Sequence, residues 1–217
     1  MLHQLFSSAL GIFLALFPMT NPLGAIPIFY SLAASQSPST RGRQARQVAL
    51  NIVVVLIIFF LAGRLILDFF GISLGVLQMA GGLLVAHTAW QMMTNHAPDV
   101  IPETQETALG KDISLIPMAI PIVSGPGAIG MAIARSAQNS DWSDYLGNLL
   151  GIGILGAALY LCLALGEPLV KVIGKSSFKA FNQVLGFFIL AVAIQLTFDG
   201  TLTLLNESLS EISSAIG

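Results

Sequence analysis

The chain has 217 residues, of which 55% are hydrophobic and 9% charged, against roughly a quarter charged in an ordinary soluble domain. That is too little charge to clothe a water-facing surface, which excludes the soluble globular class and identifies a membrane protein. The net charge of −2 says nothing about partners, because in a membrane chain the placement of charge outweighs its sum.

Six windows contain no Asp, Glu, Lys or Arg: residues 1–40, 47–63, 69–98, 113–134, 145–166 and 180–198. Each is long enough, or nearly so, for the ~17–25 residues of a spanning helix. The expectation is therefore an all-α membrane protein with six transmembrane helices. The first window has no basic leader and runs far past the apolar length of a signal peptide, so we expect it to remain in the mature chain. With loops assigned alternately to the two sides, one side receives Arg41, Arg43, Arg46, Lys111, Lys171, Lys175 and Lys179, and the other only Arg64 and Arg135. The positive-inside rule then places both termini outside, in the periplasm if the membrane is a bacterial cytoplasmic (inner) membrane.

In chain order, residues 5–32 are apolar but carry Pro18, Pro22, Gly24 and Pro27. Proline in a helix interior removes a hydrogen bond and clashes with the preceding turn, so this span reads as broken. The pattern predicts one half-helix ending near Pro18 and a second starting at Asn21, with Asn21 as N-cap and Pro22 at the first helical position. A Ser-rich connector and the basic cluster lead to a second span over 48–67, where Asn51 is expected to bond between helices. The third span, 74–94, carries Gln78, Gly81, Gly82, His87, Trp90 and Gln91. Residues 99–112 form an acidic cytoplasmic loop in this reading, with no ligand pattern.

The span from 113 to 135 repeats the anomaly of the first, with Pro117, Pro121, Gly125, Pro126 and Gly127. The fifth, 145–165, is lined by Gly147, Gly151, Gly153 and Gly156, which suits close helix contact. It also holds the single cysteine, Cys162, which rules out an intrachain disulfide or a CxxC metal site. We expect no metal and no cofactor. Residues 167–179 read as a basic amphipathic surface segment, and the last span covers 181–198 before a polar tail.

The two halves repeat. Pro22 matches Pro126 at an offset of 104, and residues 24–26 match 127–129 at 103. Gly63 and Gly71 match Gly166 and Gly174 at 103, Gln78 and Gly81 match Gln183 and Gly186 at 105, and Gln91 matches Gln195 at 104. Three spans per half is an odd number, so the second half enters the membrane from the opposite side. The division expected is 1–98 and 113–217 as inverted three-helix repeats joined by 99–112. Inverted repeats with discontinuous first helices are the mark of secondary transporters, whose site lies at the midplane between the repeats.

Half-helix N-termini offer free N–H groups and partial positive charge, and half-helix C-termini offer carbonyls. A zwitterion needs both. The expected substrate-binding residues are Asn21, Pro22 and Gly24 from the first break and Ser124, Gly125, Pro126 and Gly127 from the second. The absence of Lys and Arg from these stretches favours a small molecule without net charge, such as a neutral amino acid. Beside this stands the plainer reading that the breaks are kinks that help helices pack. His87, the deepest ionisable residue, belongs to the side-chain type that changes charge near neutral pH. It is the candidate for ion coupling, against the plainer role of a hydrogen-bonded packing histidine.

The segments MTNPLGAIPIF at 19–29, IPMAIPIVSGPGAI at 116–129 and FGIS…MAGGLLV from 70 to 85 resemble the MarC family of integral membrane proteins over nearly the whole chain. The resemblance implies a six-span fold and transport or export of small neutral amino acids. It also marks a departure: relatives commonly carry a basic residue where this chain has Gln78 and Gln183, which makes both positions candidates for gating or specificity. The partners expected are the small-molecule substrate and the lipid bilayer, with a homo-oligomer left open and no nucleic acid. We read the chain as a transporter and not as an enzyme. The rivals are a small-solute channel, separable from a carrier by saturation and counterflow, and an intramembrane serine hydrolase using Ser124 and His87. Against the hydrolase, the setting is S-G-P-G, not G-x-S-x-G, and no third member of a triad is evident.

Overall fold

A computed structural model of the chain describes residues 1–34, 36–94, 125–138, 141–166, 168 and 175–216. Among these residues there are seven helices and no strand: α1 (Leu2–Thr20), α2 (Ala25–Leu32), α3 (Pro38–Phe70), α4 (Leu74–Thr94), α5 (Pro126–Gln138), α6 (Trp142–Ala164) and α7 (Lys175–Ile216). Four stretches are long and apolar enough to cross a bilayer: Leu2–Thr20, Pro38–Phe70, Trp142–Ala164 and Ala180–Leu209. Of the other two expected spans, the third is the 21-residue α4. The fourth is described only from Gly125 onward, and the expected loop at 99–112 lies outside the described residues.

Local chemistry explains most helix ends. Ser37 opens α3 as N-cap, accepting from the Thr40 N–H at 3.3 Å, with Pro38 in the first turn, where its missing N–H costs nothing. Gly71 closes α3 at φ 63°, and the Ile72 N–H reaches back to the Leu67 carbonyl at 3.0 Å. This is the left-handed C-cap that glycine adopts without strain. Two helices outrun their predicted spans. α3 begins ten residues before 48 and includes the whole basic cluster, and α7 has 42 residues, about 63 Å at 1.5 Å per residue. The polar tail thus continues the last helix.

Arg41 ties the two ends of the α2–α3 connector together. Its Nε donates to the carbonyls of Ala33 and Gln36, both at 3.1 Å, and a terminal nitrogen donates to the Ala34 carbonyl at 3.2 Å. One guanidinium therefore reaches carbonyls at and just beyond the end of α2, sharing Ala33's with the Gln36 N–H.

Glycines set the packing. α1 and α6 run in the same direction, with Gly147 against Leu5 and Ser8 and Gly151 against Ala9 and Ile12; Ser8 Oγ donates to Asp144 Oδ1 at 2.6 Å at one end of this contact. α3 crosses α6 in the opposite sense, with Phe60 edge-on to Tyr145 and Gly156 against Val53 and Ala49. α5 lies against α3 where Gly63 meets Ile133 and Ser136. α4 and α7 run antiparallel along a seam in which Gly75 meets Gly200 and Leu204, Gly82 meets Ala193 and Thr197, and Gly186 meets Ala89, Met92 and Met93. Among the described residues the apolar interior falls into two clusters. The larger is drawn from α1, α2, α3, α5 and α6. The smaller comprises Val85, Ala89, Ile189 and Ala193 of α4 and α7, and Met19 packs against both.

Candidate functional site

The first span is broken, but not where the proline rule places the break. α1 runs through Pro18 to Thr20, and α2 starts at Ala25 with Gly24 as its N-cap. Pro18 lies in the last turn of α1, and at the break hydroxyl and backbone groups reach back to the carbonyls of that turn. The Thr20 hydroxyl donates to the Leu16 carbonyl at 3.0 Å and the Phe17 carbonyl at 3.3 Å, and the Asn21 N–H donates to the Pro18 carbonyl at 3.1 Å.

Asn21 is accordingly the C-cap of α1, not the N-cap of the next helix as its Asn-Pro context predicts. Its backbone is left-handed, φ 42° and ψ 62°, and it is the only non-glycine residue with positive φ among those described. Asparagine tolerates this region better than other side chains. It nevertheless performs a capping function for α2. Its Oδ1 accepts from the Gly24 N–H at 3.0 Å, and its carbonyl accepts from the Ala25 N–H at 3.1 Å. Gly24 has an ordinary φ of −64°, so its freedom from a side chain serves close approach: a Cβ there would stand 2.7 Å from Asn21 Cγ. With Oδ1 engaged, the other end of the amide points at α4, where Nδ2 donates to Met92 Sδ at 3.4 Å.

A small cleft of about 50 Å³ lies between this break and α7, lined by Phe17, Pro18, Asn21, Pro22, Leu23, Leu185, Phe188 and Ile189. This is room for one or two waters, at about 30 Å³ each. Among the described residues no charged side chain lines it, and Asn21 is its one polar side chain.

The second break is described from Gly125. Ser124 lies outside the described residues, as do Pro117 and Pro121. α5 begins with Pro126 at its first position, and the Gly125 carbonyl accepts from the Ile129 N–H at 3.2 Å. Gly127 lies directly against Val85 of α4. Ala128 and Ala132 of α5 belong to the same buried cluster as Ala25 and Ile26 of α2, so the starts of α5 and α2 share one core.

The three proposed gating residues are spread along the α4–α7 pair. Gln78 is 5% exposed, and its Oε1 accepts from Thr203 Oγ1 at 3.5 Å. Gln183 Nε2 donates to the Met93 carbonyl at 3.2 Å, which joins the two helices at the residue next to Met92, the one that Asn21 contacts. His87 sits on the exposed side of α4, its Nε2 2.9 Å from Gln91 Nε2. Asn21 and Gln183 thus converge on the end of α4 that carries Met92 and Met93, and His87 does not join them. Met92 gave no signal in the sequence, because a methionine in an apolar helix reads as core filling. Among the described residues, no three His, Cys, Asp or Glu side chains are grouped so as to hold a metal ion.

Comparison with known proteins agrees with the family motifs. The family model described as MarC family integral membrane protein matches residues 6–205. A membrane protein of Pyrococcus abyssi is 30% identical over 87% of this chain and 92% of its own length. One from Buchnera aphidicola subsp. Schizaphis graminum is 30% identical over 88% and 90%. The inner membrane protein MarC of Salmonella typhimurium is 26% identical over 88% and 92%. No solved structure gives a significant match. With its motifs at both breaks and a match spanning nearly its full length, the chain belongs to the MarC family of integral membrane proteins.

Proposed function

We propose that this protein is a secondary transporter of small neutral amino acids, or similar small zwitterions, working by alternating access with its site between the two breaks. The spans are six, arranged as two inverted three-helix repeats in the bacterial inner membrane, with both termini on the periplasmic side. The protein carries no catalytic function in this reading.

The observation that carries the proposal is a set of contacts repeated at a fixed offset. Gly82 meets Ala193 and Thr197, and Gly186 meets Ala89 and Met93; adding 104 to the first member of each pair and subtracting it from the second turns one set into the other. Gly63 against Ile133 and Gly166 against Tyr30 are related in the same way at 103. At this offset α5 corresponds to α2, so the contact of α5 on α3 becomes that of α2 on α6, and both are present; the counterpart of α1 lies outside the described residues. The antiparallel seam of α4 and α7 is what an inverted relation requires, since repeats related by an axis along the membrane normal would place equivalent helices parallel.

Broken helices at membrane depth are tolerated where they are enclosed in protein or line a cavity. The described lining of the cleft at Asn21 carries no charge, as suits a substrate without net charge, and at about 50 Å³ the cleft must widen before an amino acid enters. The division into two apolar clusters supports alternating access, because the α4–α7 pair can move against the remaining helices with little loss of burial inside either one. Counterflow in proteoliposomes, using a panel of labelled amino acids, tests the proposal. Saturable exchange of alanine or a similarly small neutral amino acid is expected. Non-saturating flux without counterflow would make the protein a channel instead.

A further inference from the structure

We infer that Met92 occupies the place of a substrate acceptor at Asn21 and sets the size limit of the site; this rests on the transport reading above. The Asn21 amide is held in a fixed direction, its Oδ1 taken by the Gly24 N–H and its backbone locked as the left-handed cap of α1. The remaining donor, Nδ2, is aimed at the Met92 sulfur, 3.4 Å away. A thioether is a weak acceptor, whereas a carboxylate accepts an N–H with roughly twice the strength of a neutral partner. The donor is therefore organised for an acceptor better than the one it has.

Met92 is suited to give way. It is unbranched and flexible, half-buried at the end of α4, and its Cβ lies 3.0 Å from where a side chain on Gly186 would begin. The base of the side chain is thus packed closely on the glycine and held in place, so displacement falls on the flexible end beyond Cβ, which carries the sulfur. The position 104 residues later is Leu196, which faces Gly81 and has no acceptor to offer. The acceptor is thus confined to the half of the molecule that carries Asn21. Displacement of the Met92 side chain would free Nδ2 for a substrate carboxylate, and the space vacated would bound the substrate's side chain.

Wild type, Met92→Leu and Met92→Ala, each reconstituted in proteoliposomes, separate the possibilities through the concentration dependence of labelled alanine uptake and its competition by leucine. Met92→Leu keeps the bulk and removes the acceptor, so the half-saturating alanine concentration should fall about two- to threefold, as expected for loss of a weak competing hydrogen bond. Met92→Ala opens the space, so leucine transport relative to alanine should rise about tenfold, the scale set by small changes in an apolar pocket. Unchanged half-saturation and an unchanged leucine-to-alanine ratio in both variants would overturn the role of Met92, including the case where only the maximal rate falls. Saturable alanine transport by wild type in that same experiment would leave the transport reading standing. No saturable uptake of any small neutral amino acid by wild type would overturn both.

Discussion

The Gly24 N–H donates to Asn21 Oδ1 across 3.0 Å, and this single contact joins the end of one helix to the start of the next. Two properties of Asn21 support it, tolerance of the left-handed backbone and a side-chain acceptor, and substitution can separate them. Asn21→Gly keeps the first and loses the second, and should cost about 1 kcal/mol. Asn21→Ala loses both and adds the left-handed penalty of about 1–2 kcal/mol. Thermal unfolding in detergent should therefore rank wild type above Gly and Gly above Ala. Equal loss for the two variants would mean that the backbone conformation at 21 is not strained in alanine.

The glycines of the bundle should differ sharply in their tolerance of a methyl group. At Gly82 a Cβ would stand 2.8 Å from the Ala193 carbonyl oxygen and the Thr197 nitrogen, both backbone atoms that move only with their helix. At Gly186 the nearest atoms are Met92 Cβ and Met93 Cγ at 3.0 Å and the Ala89 carbonyl oxygen at 3.1 Å, all farther than the backbone atoms at Gly82. At Gly153 nothing lies within 4 Å. Gly82→Ala should cost about 1–3 kcal/mol by overpacking, Gly186→Ala less, and Gly153→Ala should be neutral or stabilising by up to about 1 kcal/mol through helix propensity. Unfolding midpoints of the three variants in one detergent check the order, and a Gly153 variant less stable than the Gly82 variant would contradict the packing described.

Arg41 makes a different kind of prediction, because one planar group reaches three carbonyls, of which only Ala33's also accepts the Gln36 N–H. Lysine supplies the charge without the fork, so Arg41→Lys should recover only part of what Arg41→Ala loses. The expected losses are about 1 kcal/mol for Lys and about 2 kcal/mol for Ala, scaled from the ordinary range for hydrogen bonds. Protease sensitivity of the connector at 33–37 should rise in the same order. Full recovery by lysine would show that charge at the head of α3, and not the fork, is what matters.

How much of this was legible in the sequence depends on what each signal measures. Charge-free windows mark apolar surface, and they located α1, α3, α4, α6 and α7 and the described part of the fourth span, α5, while α2 shared the first window with α1. They could not mark where a helix ends beyond the bilayer, so the basic first turns of α3 and the polar end of α7 read as connector and tail. The proline cluster marked the first break to within a few residues. It misassigned Asn21 because the same residue type serves at both ends of helices, as an N-cap and as a left-handed C-cap. Arg41 was read only as topological charge, since an arginine that reaches back eight residues to a carbonyl leaves no periodic trace. Of the glycine pairs in the sequence register, Gly63 and Gly166 meet equivalent partners, whereas between α4 and α7 the matching contacts pair Gly186 with Gly82 at 104 and not with Gly81 at 105, and Gly71 touches nothing within 4 Å. Met92 had no signal at all. Its role depends on an amide whose direction is fixed by a turn, and that is knowable only once the turn is built.

The central claim is that the two breaks form opposite walls of one substrate site. It is tested most directly by the rate and half-saturation of labelled alanine flux in proteoliposomes containing wild type, Asn21→Ala or Ser124→Ala, each checked first for a folded, monodisperse protein. The account predicts that each substitution raises the half-saturating concentration about tenfold, the order expected when a hydrogen bond to a charged group is lost. Wild-type affinity and rate in both variants would contradict it.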